Sequence, residues 1–271
     1  MTHGSTAVCR FFASLFIGLG ILFILPVFPA HSRPLIIEGL SEAPLKWQQD
    51  GEIRGVDIDI MKAVLAEMQI SDYEFRLVPS GNRLLYNART GASDIVLSLS
   101  LSPERQEFLD YPNEAHLLLD WRFAIRKTDS DRISFNDFSD LAGLHIGAAA
   151  GFSYTPAFWN SGLNIETVAK NNLLIPMLLR GRFDIVPLNY MTSLYEAQQD
   201  GLADQLVFLY PPIRQAAYYN VWSKASRYHG KESFQRQYDA IIDRFQKDGT
   251  IAAIIESYLG TEGPRKIHYS Q

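Results

Sequence analysis

Cysteine is nearly absent from this chain: Cys9 is the only one, so no intrachain disulfide forms. Cys9 also precedes the apolar amino-terminal run instead of following it, which excludes the acylation position of an exported lipoprotein. Basic blocks are missing too. With a formal net charge of −5 and no Lys/Arg cluster, neither nucleic acid nor an anionic membrane surface is expected as the main partner. No polar low-complexity tract, collagen repeat or sustained heptad occurs, which excludes fibrous and disordered classes. The six histidines (His3, His31, His116, His145, His229 and His268) show no ligand-like spacing, so no metal site and no cofactor are expected. The segment Gly151-Phe-Ser153-Tyr-Thr lacks the closing glycine of a nucleophile elbow, and no His/Asp partners are evident. A serine hydrolase is not expected.

What remains is globular in composition, 47% hydrophobic and 20% charged, with enough apolar material for one or two cores. The amino terminus stands apart. Arg10 precedes an almost unbroken apolar run from Phe11 to Phe28, and the small residues Ala30 and Ser32 follow, just before Arg33-Pro34. This pattern predicts a secretory signal peptide over residues 1–32, cut after Ala30 or after Ser32. An uncleaved anchor is the competing reading, since eighteen residues reach the lower limit of a membrane span. Pro26 and the small residues after it favour cleavage. Cutting after Ala30 removes Arg10 and no acid, taking the formal charge from −5 to −6, and also removes Cys9. An exported chain without thiol or lipid anchor implies the periplasm.

Two segments ninety residues apart share one local grammar: Gly91-Ala-Ser-Asp94-Ile-Val96 and Gly181-Arg-Phe-Asp184-Ile-Val186. Each follows a helical stretch (84–90 and 173–180), so each glycine is placed to end a helix in the left-handed conformation. The Ile-Val pairs read as strands buried on both faces, as in a parallel sheet flanked by helices. Two such units predict two similar α/β lobes, with ligands at the carboxyl ends of the strands.

The rest of the chain fits that scheme. Pro34 to Glu38 reads as a first strand, Asp57 to Met68 as an amphipathic helix, and Tyr73 to Val78 as an alternating strand. Leu117 to Arg126 reads as an extended crossing, Leu144 to Ala148 as the opening strand of a second lobe, and Ala216 to Trp222 as another extended run. Pro156 suits the first turn of a helix. Phe234 to Phe245 and Ile251 to Leu259 read as closing amphipathic helices. Strands alternating with helices throughout make the fold class α/β. The crossings near Leu119 and Pro212 predict a middle lobe inserted into an outer one, with boundaries 33–118, 119–212 and 213–271.

Four signatures then resemble the family 3 extracellular solute-binding proteins, known as receptors of amino-acid ABC transporters. Gly51-Glu-Ile-Arg-Gly55-Val-Asp57-Ile-Asp59-Ile resembles the family's entry to its first helix. Leu99-Ser-Leu-Ser-Pro-Glu-Arg105-Gln with Asp110-Tyr111 resembles its threonine-x-x-Arg motif and the following Phe-Ser. Asp140-Leu-Ala-Gly143 to Gly151 resembles the start of its second lobe, and Phe245 to Gly260 its closing helices. They span residues 34 to 260 in the family's order.

The resemblance implies a two-lobe periplasmic-binding-protein fold of type II, with two hinge crossings and a small ligand in the cleft. It implies that Arg105 grips a ligand carboxylate through paired charge-assisted hydrogen bonds. Ser98, Ser100 and Ser153 match positions serving the same ligand end. Asn189 stands where the family usually carries an aspartate for the ligand ammonium, and asparagine brings no compensating charge. Glu42 stands where an aromatic often packs, and Arg83 opens a helix near the cleft. Trp121, near the first crossing, is placed to report on closure.

The implied activity is binding, not catalysis: a monomer delivering a small carboxylate-bearing ligand, an amino acid or a relative, to an inner-membrane ABC permease. A ligand-sensing partner of a membrane signalling protein would have the same cleft. A dehydratase on this scaffold, of arogenate or prephenate type, would need a general acid, with Glu42 or Glu38 nearest. Blander readings stand beside these. Arg105 has Glu104 and Asp110 nearby to pair with, and Asp57 and Asp59 suit the first turn of a helix.

Overall fold

The computed structural model describes residues 33–150 and 154–260. The expected signal peptide and Ser153 therefore lie outside the described residues.

The chain begins with β1 (Leu35–Leu40), the short hairpin β2 (Trp47–Gln49) and β3 (Glu52–Arg54), α1 (Val56–Glu67) and β4 (Tyr73–Val78). Then come α2 (Gly81–Thr90), β5 (Ile95–Ser100), α3 (Pro103–Gln106), β6 (Leu109–Asp110) and the long β7 (Leu117–Arg126). The middle of the chain supplies β8 (Ile146–Ala149), α4 (Pro156–Trp159), β9 (Ile165–Val168), α5 (Leu174–Leu179), β10 (Ile185–Asn189), α6 (Tyr190–Gln199) and β11 (Leu206–Phe208). It closes with the long β12 (Arg214–Ser223), α7 (Lys231–Lys247) and α8 (Thr250–Leu259).

One sheet runs through both halves in the order β4-β1-β5-β12-β7-β10-β8-β9, with β6 on β12 and β11 on β7. The parallel strands β4, β1 and β5 lie on one side, and the parallel set β10, β8 and β9 on the other. Between them the antiparallel pair β7 and β12 forms the two crossings. The first half of β7 pairs with β12 and the second half with β11 and β10. Each crossing strand thus belongs to both lobes.

The twin Gly-x-x-Asp units now have a common physical cause. Gly91 ends α2 at φ 72, and Gly181 has φ 75. A Cβ on Gly91 would also meet the Ala225 carbonyl at 2.4 Å, so both conformation and space require glycine. The aspartate then ties its strand to the lobe's opening strand. Asp94 N donates to Ile36 O, and Ile36 N donates to the Asp94 carboxylate (2.9 Å each). In the second lobe Asp184 N donates to His145 O at 2.8 Å, and His145 N donates to the Asp184 carboxylate at 2.9 Å. Each aspartate is a clamp at the amino-terminal end of its strand.

Cores form on both sides of the sheet. Leu35, Ile37, Ile58, Met61, Val64, Leu65, Ile95 and Leu97 bury against Phe234, Tyr238, Ile242 and Phe245 of α7 and Ile255 and Leu259 of α8. The regular apolar spacing along α1 and α7 drives this burial. In the second lobe Phe123, Ile125, Ile146, Tyr154, Phe158 and Ile185 pack on one face, and Ala124, Leu174, Leu178, Phe183, Val186 and Leu188 on the other. Gly147 lets the Phe183 ring lie against the backbone, at 2.2 Å from where a Cβ would stand. Trp121 packs against the first-lobe core and against the Phe123 cluster alike.

Candidate functional site: the cleft-side ends of β5, β12, β7 and β10

The carboxyl end of β5 carries the first half of the site. Ser102 precedes the single turn of α3, whose first residue is Pro103, and this turn brings Arg105 back over the strand it follows. Its Nη1 donates to Ser100 O at 3.0 Å and to Ser100 Oγ at 3.3 Å. The Tyr111 hydroxyl donates to the same carbonyl at 3.0 Å. Burial raises the Tyr111 pKa, and the Arg105 charge partly offsets that. The surface-pairing alternative for Arg105 is not what the geometry gives. Glu104 accepts from Ser102, while Asp110 meets Lys231 at 2.9 Å. Among the described residues Arg105 makes no ion pair, so a half-buried guanidinium is braced by neutral oxygens alone.

Ser98 points elsewhere. It takes φ 55, unusual for a residue with a side chain, and that turn carries its hydroxyl under the cleft. Ser98 Oγ donates to Asp57 Oδ2 at 2.5 Å, with His116 Nε2 at 3.2 Å. Lys46 Nζ reaches the same Oδ2 at 2.7 Å, and His116 Nε2 lies 2.9 Å from Oδ1. Asn220 accepts from Ser98 N and donates to the Tyr238 hydroxyl. Burial acts to raise the Asp57 pKa, but Lys46 and His116 outweigh it and hold the carboxyl well below the usual range. Asp57 is therefore both the first-turn acid of α1 that its position suggested and a buried anion. The expectation for Asp59 as a first-turn residue of α1 agrees with its place there.

The cluster does bring Ser, His and Asp together, a proximity the sequence did not reveal. Its wiring is not that of a nucleophile. A triad places serine and aspartate on opposite imidazole nitrogens, whereas here both meet Nε2, and Nδ1 has no partner among the described residues.

The second half of the site lies along the crossing strands. Tyr218 pairs with Ser100 on one side and Leu117 on the other. Four residues back along β12, Arg214 pairs with Trp121 of β7, which in turn pairs with Asn189 of β10. Directly opposed residues share a face, so Arg214, Trp121 and Asn189 form one row. The Arg214 guanidinium carbon lies 4.6 Å from the Trp121 ring centroid, within cation–π range. Burial raises the Tyr218 pKa and Glu42 raises it further, with Arg214 and Arg105 opposing.

Asn189 caps α6: its Oδ1 accepts from Thr192 N at 3.1 Å. Glu42 lies in the loop after β1, its backbone paired with Lys46, and its carboxyl is raised by burial against the opposing pull of Lys46. Its side chain keeps access to solvent. Arg83 is exposed on α2, with its guanidinium 5.8 Å from the Tyr86 ring. It lines a recess with Glu38 and Arg76 beneath α2. Glu38 is 3% exposed and receives Asn87 Nδ2 on both oxygens. The structure thus brings Arg105 to Ser100, the strand partner of Tyr218, leaves Glu42 in the loop after β1, puts Asn189 on the Trp121 row, and leaves Ser98 in the buried cluster and Arg83 on α2. In the sequence Tyr218 lies within the extended run over 216–222 and Arg214 just before it, so neither stands out as a site residue. The i, i+2, i+4 spacing of Arg214, Ala216 and Tyr218 on one strand was the available signal.

Comparison with known proteins places the chain in a family. The model for bacterial extracellular solute-binding proteins, family 3, matches residues 37–261. The chain belongs to that family. A relative, the probable amino-acid-binding protein YxeM of Bacillus subtilis (strain 168), is 19% identical over 224 residues, 81% of each chain. Among solved structures, substrate-binding domain 2 of Lactococcus lactis GlnP in an open conformation superposes with a TM-score of 0.72 at 18% identity. That match covers 87% of this chain and 99% of that one. The L-cystine solute receptor of Neisseria gonorrhoeae, unliganded and open, gives 0.70 at 16% identity, covering 85% and 94%. At these identities the structures show the shared fold: a two-lobe, type II periplasmic-binding-protein architecture. Among the described residues no helix is long and apolar enough to cross a membrane.

Proposed function

We propose that this family 3 protein is a periplasmic receptor that closes two lobes on a small carboxylate-bearing ligand, an amino acid or a relative, and presents it to an inner-membrane ABC permease. The observation that carries the reading is Arg105. Its guanidinium is fixed by Ser100 and forms no ion pair among the described residues, at the carboxyl end of a parallel strand where such sheets bind ligands. A ligand carboxylate completes its hydrogen bonds, and lobe closure strengthens them by excluding water. The lobes run over 33–118 with 213–271, and over 119–212, with the signal peptide removed and the protein monomeric. By the family resemblance Ser153 is assigned to the same ligand end.

Thermal unfolding with a panel of amino acids, organic acids and small amines tests this. A ligand at 100 times its Kd adds about 2.7 kcal/mol, and Arg105→Ala abolishes that gain. A panel with no stabilising ligand, or an Arg105→Ala protein that binds as before, rejects the reading. A membrane sensor in place of the permease leaves the cleft chemistry unchanged, and capture of the permease or the sensor by the ligand-bound protein separates the two. The dehydratase alternative keeps Glu42 as its acid, because burial raises its carboxyl, whereas Glu38 is enclosed beneath α2. Release of phenylpyruvate from prephenate would establish that activity.

A further inference from the structure

The pairing of β5 with β12 slips by one residue at Ser98. Leu99 stands opposite Tyr219 and Val96 opposite Val221, so two residues of β5, Leu97 and Ser98, face the single residue Asn220. This is a β-bulge, and Ser98 occupies it at φ 55, in the left-handed region that glycine adopts most readily. A slip of one residue reverses the face on which every later side chain of a strand stands. The bulge therefore decides how Leu99 and Ser100 are presented, and Ser100 supplies both oxygens that seat Arg105.

Three side chains hold a serine where a glycine would sit unaided. Asn220 Oδ1 accepts from Ser98 N at 3.2 Å, and its Nδ2 donates to the Tyr238 hydroxyl at 3.0 Å. The Ser98 hydroxyl gives its one proton to Asp57 Oδ2. His116 Nε2 lies 2.9 Å from Asp57 Oδ1 and 3.2 Å from Ser98 Oγ. Both neighbours are acceptors towards it, a carboxylate and a hydroxyl whose proton is already given, so Nε2 carries the imidazole proton. His116 N also donates to Tyr218 O at 3.1 Å, and Tyr218 is the strand partner of Ser100. Asp57, His116 and Asn220 are all buried, so water does not compete for these bonds.

We infer that Asp57 and His116 are positioning residues for the cleft: they hold Ser98 in the left-handed bulge that presents Ser100, and through it Arg105, to a ligand. This deepens the proposed function and rests on its assignment of Arg105 to a ligand carboxylate. Ser98 then acts through its backbone, with its hydroxyl committed to Asp57 instead of to the ligand.

Replacing Ser98 separates the two roles, because glycine takes the left-handed conformation without a hydroxyl and alanine does not. The standard L-amino acids, succinate and glutarate are titrated calorimetrically against the wild-type protein and the variants Arg105→Ala, Ser98→Gly, Ser98→Ala and Asp57→Asn. For each probe that Arg105→Ala weakens, Ser98→Ala should weaken binding about tenfold or more, and Ser98→Gly by no more than about threefold. Asp57→Asn should weaken the same probes, and adding Ser98→Gly to it should recover most of the loss. Both serine variants lose the bond to Asp57, so a lowered unfolding midpoint in both is the structural effect, and the split in affinity is the positioning effect. Equal losses of affinity in Ser98→Gly and Ser98→Ala would make the hydroxyl a ligand contact. Unchanged affinity in Ser98→Ala would free the bulge from Asp57. Either result overturns the inference and leaves the receptor reading standing. If no probe binds in an Arg105-dependent way, the receptor reading falls and takes this inference with it.

Discussion

Lys46→Met probes whether the charges beneath the cleft stabilise one another. Lys46 is 3% exposed, and Asp57 and His116 are 0%, so no solvent screens them. Methionine keeps a long apolar stem but removes the ammonium that lies 2.7 Å from Asp57 Oδ2. The carboxylate then keeps only the Ser98 hydroxyl and His116 Nε2. Breaking a buried pair from one side costs about 3–5 kcal/mol. Because two other partners remain, the lower end, about 3 kcal/mol, is expected.

The pH dependence carries a sharper signature. In the native protein the folded pKa of Asp57 lies below its ordinary value of 3.8. Its contribution is therefore present above that ordinary value and is lost as the pH falls through the depressed one. In Lys46→Met the largest opposing influence is gone and burial dominates, so the folded pKa moves above the unfolded one. The variant then recovers relative stability as the pH falls through that raised value. Urea unfolding followed by circular dichroism at about pH 7.5 and about pH 5 should show the stability gap narrowing. The double variant Lys46→Met/Asp57→Asn should be more stable than the sum of the single losses by more than about 1 kcal/mol. Strict additivity together with a pH-independent gap would refute the mutual-dependence argument.

The twin clamps predict unequal costs from identical substitutions. Asp94 is fully buried and holds Arg33 with both oxygens, at 2.7 and 2.6 Å, whereas the Asp184 side chain is 31% exposed. Asp94→Asn should cost about 2–3 kcal/mol and Asp184→Asn about 1 kcal/mol, measured by urea unfolding; equal losses would contradict the screening argument. Trp121 packs against both lobe cores and under Arg214. Trp121→Phe should remove most of the ligand-dependent tryptophan fluorescence change, and an undiminished change would place the closure signal elsewhere.

How far the sequence reveals this protein depends on the range of the interaction. The twin glycines, the amphipathic spacing of α1 and α7, and the alternation of β4 are local, and each is decided by the residue and its near neighbours. The opening strand of the second lobe shows the limit: an apolar run over 144–148 becomes β8 at Ile146–Ala149, because pairing with β9 and β10 sets its ends. The site is less legible. Ser98 looks like one member of an alternating strand, yet its positive φ redirects it to Asp57, His116 and Asn220, up to 122 positions away. Asn189 was recognisable as a residue without charge. That its oxygen is committed to a helix cap depends on α6 starting at the next residue.

The two ends of the repeated strands divide the work. At the amino-terminal ends, Asp94 and Asp184 make the same reciprocal bonds to Ile36 and His145, because each lobe must fasten a strand to its neighbour where a helix has just ended. At the carboxyl ends the lobes diverge. β5 continues into a short turn that returns a cation, Arg105, to its own strand, while β10 runs directly into α6 and ends in its cap, Asn189. The shared clamp makes the lobes alike in fold. The different exits make them unlike at the cleft: one returns Arg105 to Ser100 at the end of its own strand, and the other spends the last residue of its strand, Asn189, on holding the first turn of a helix.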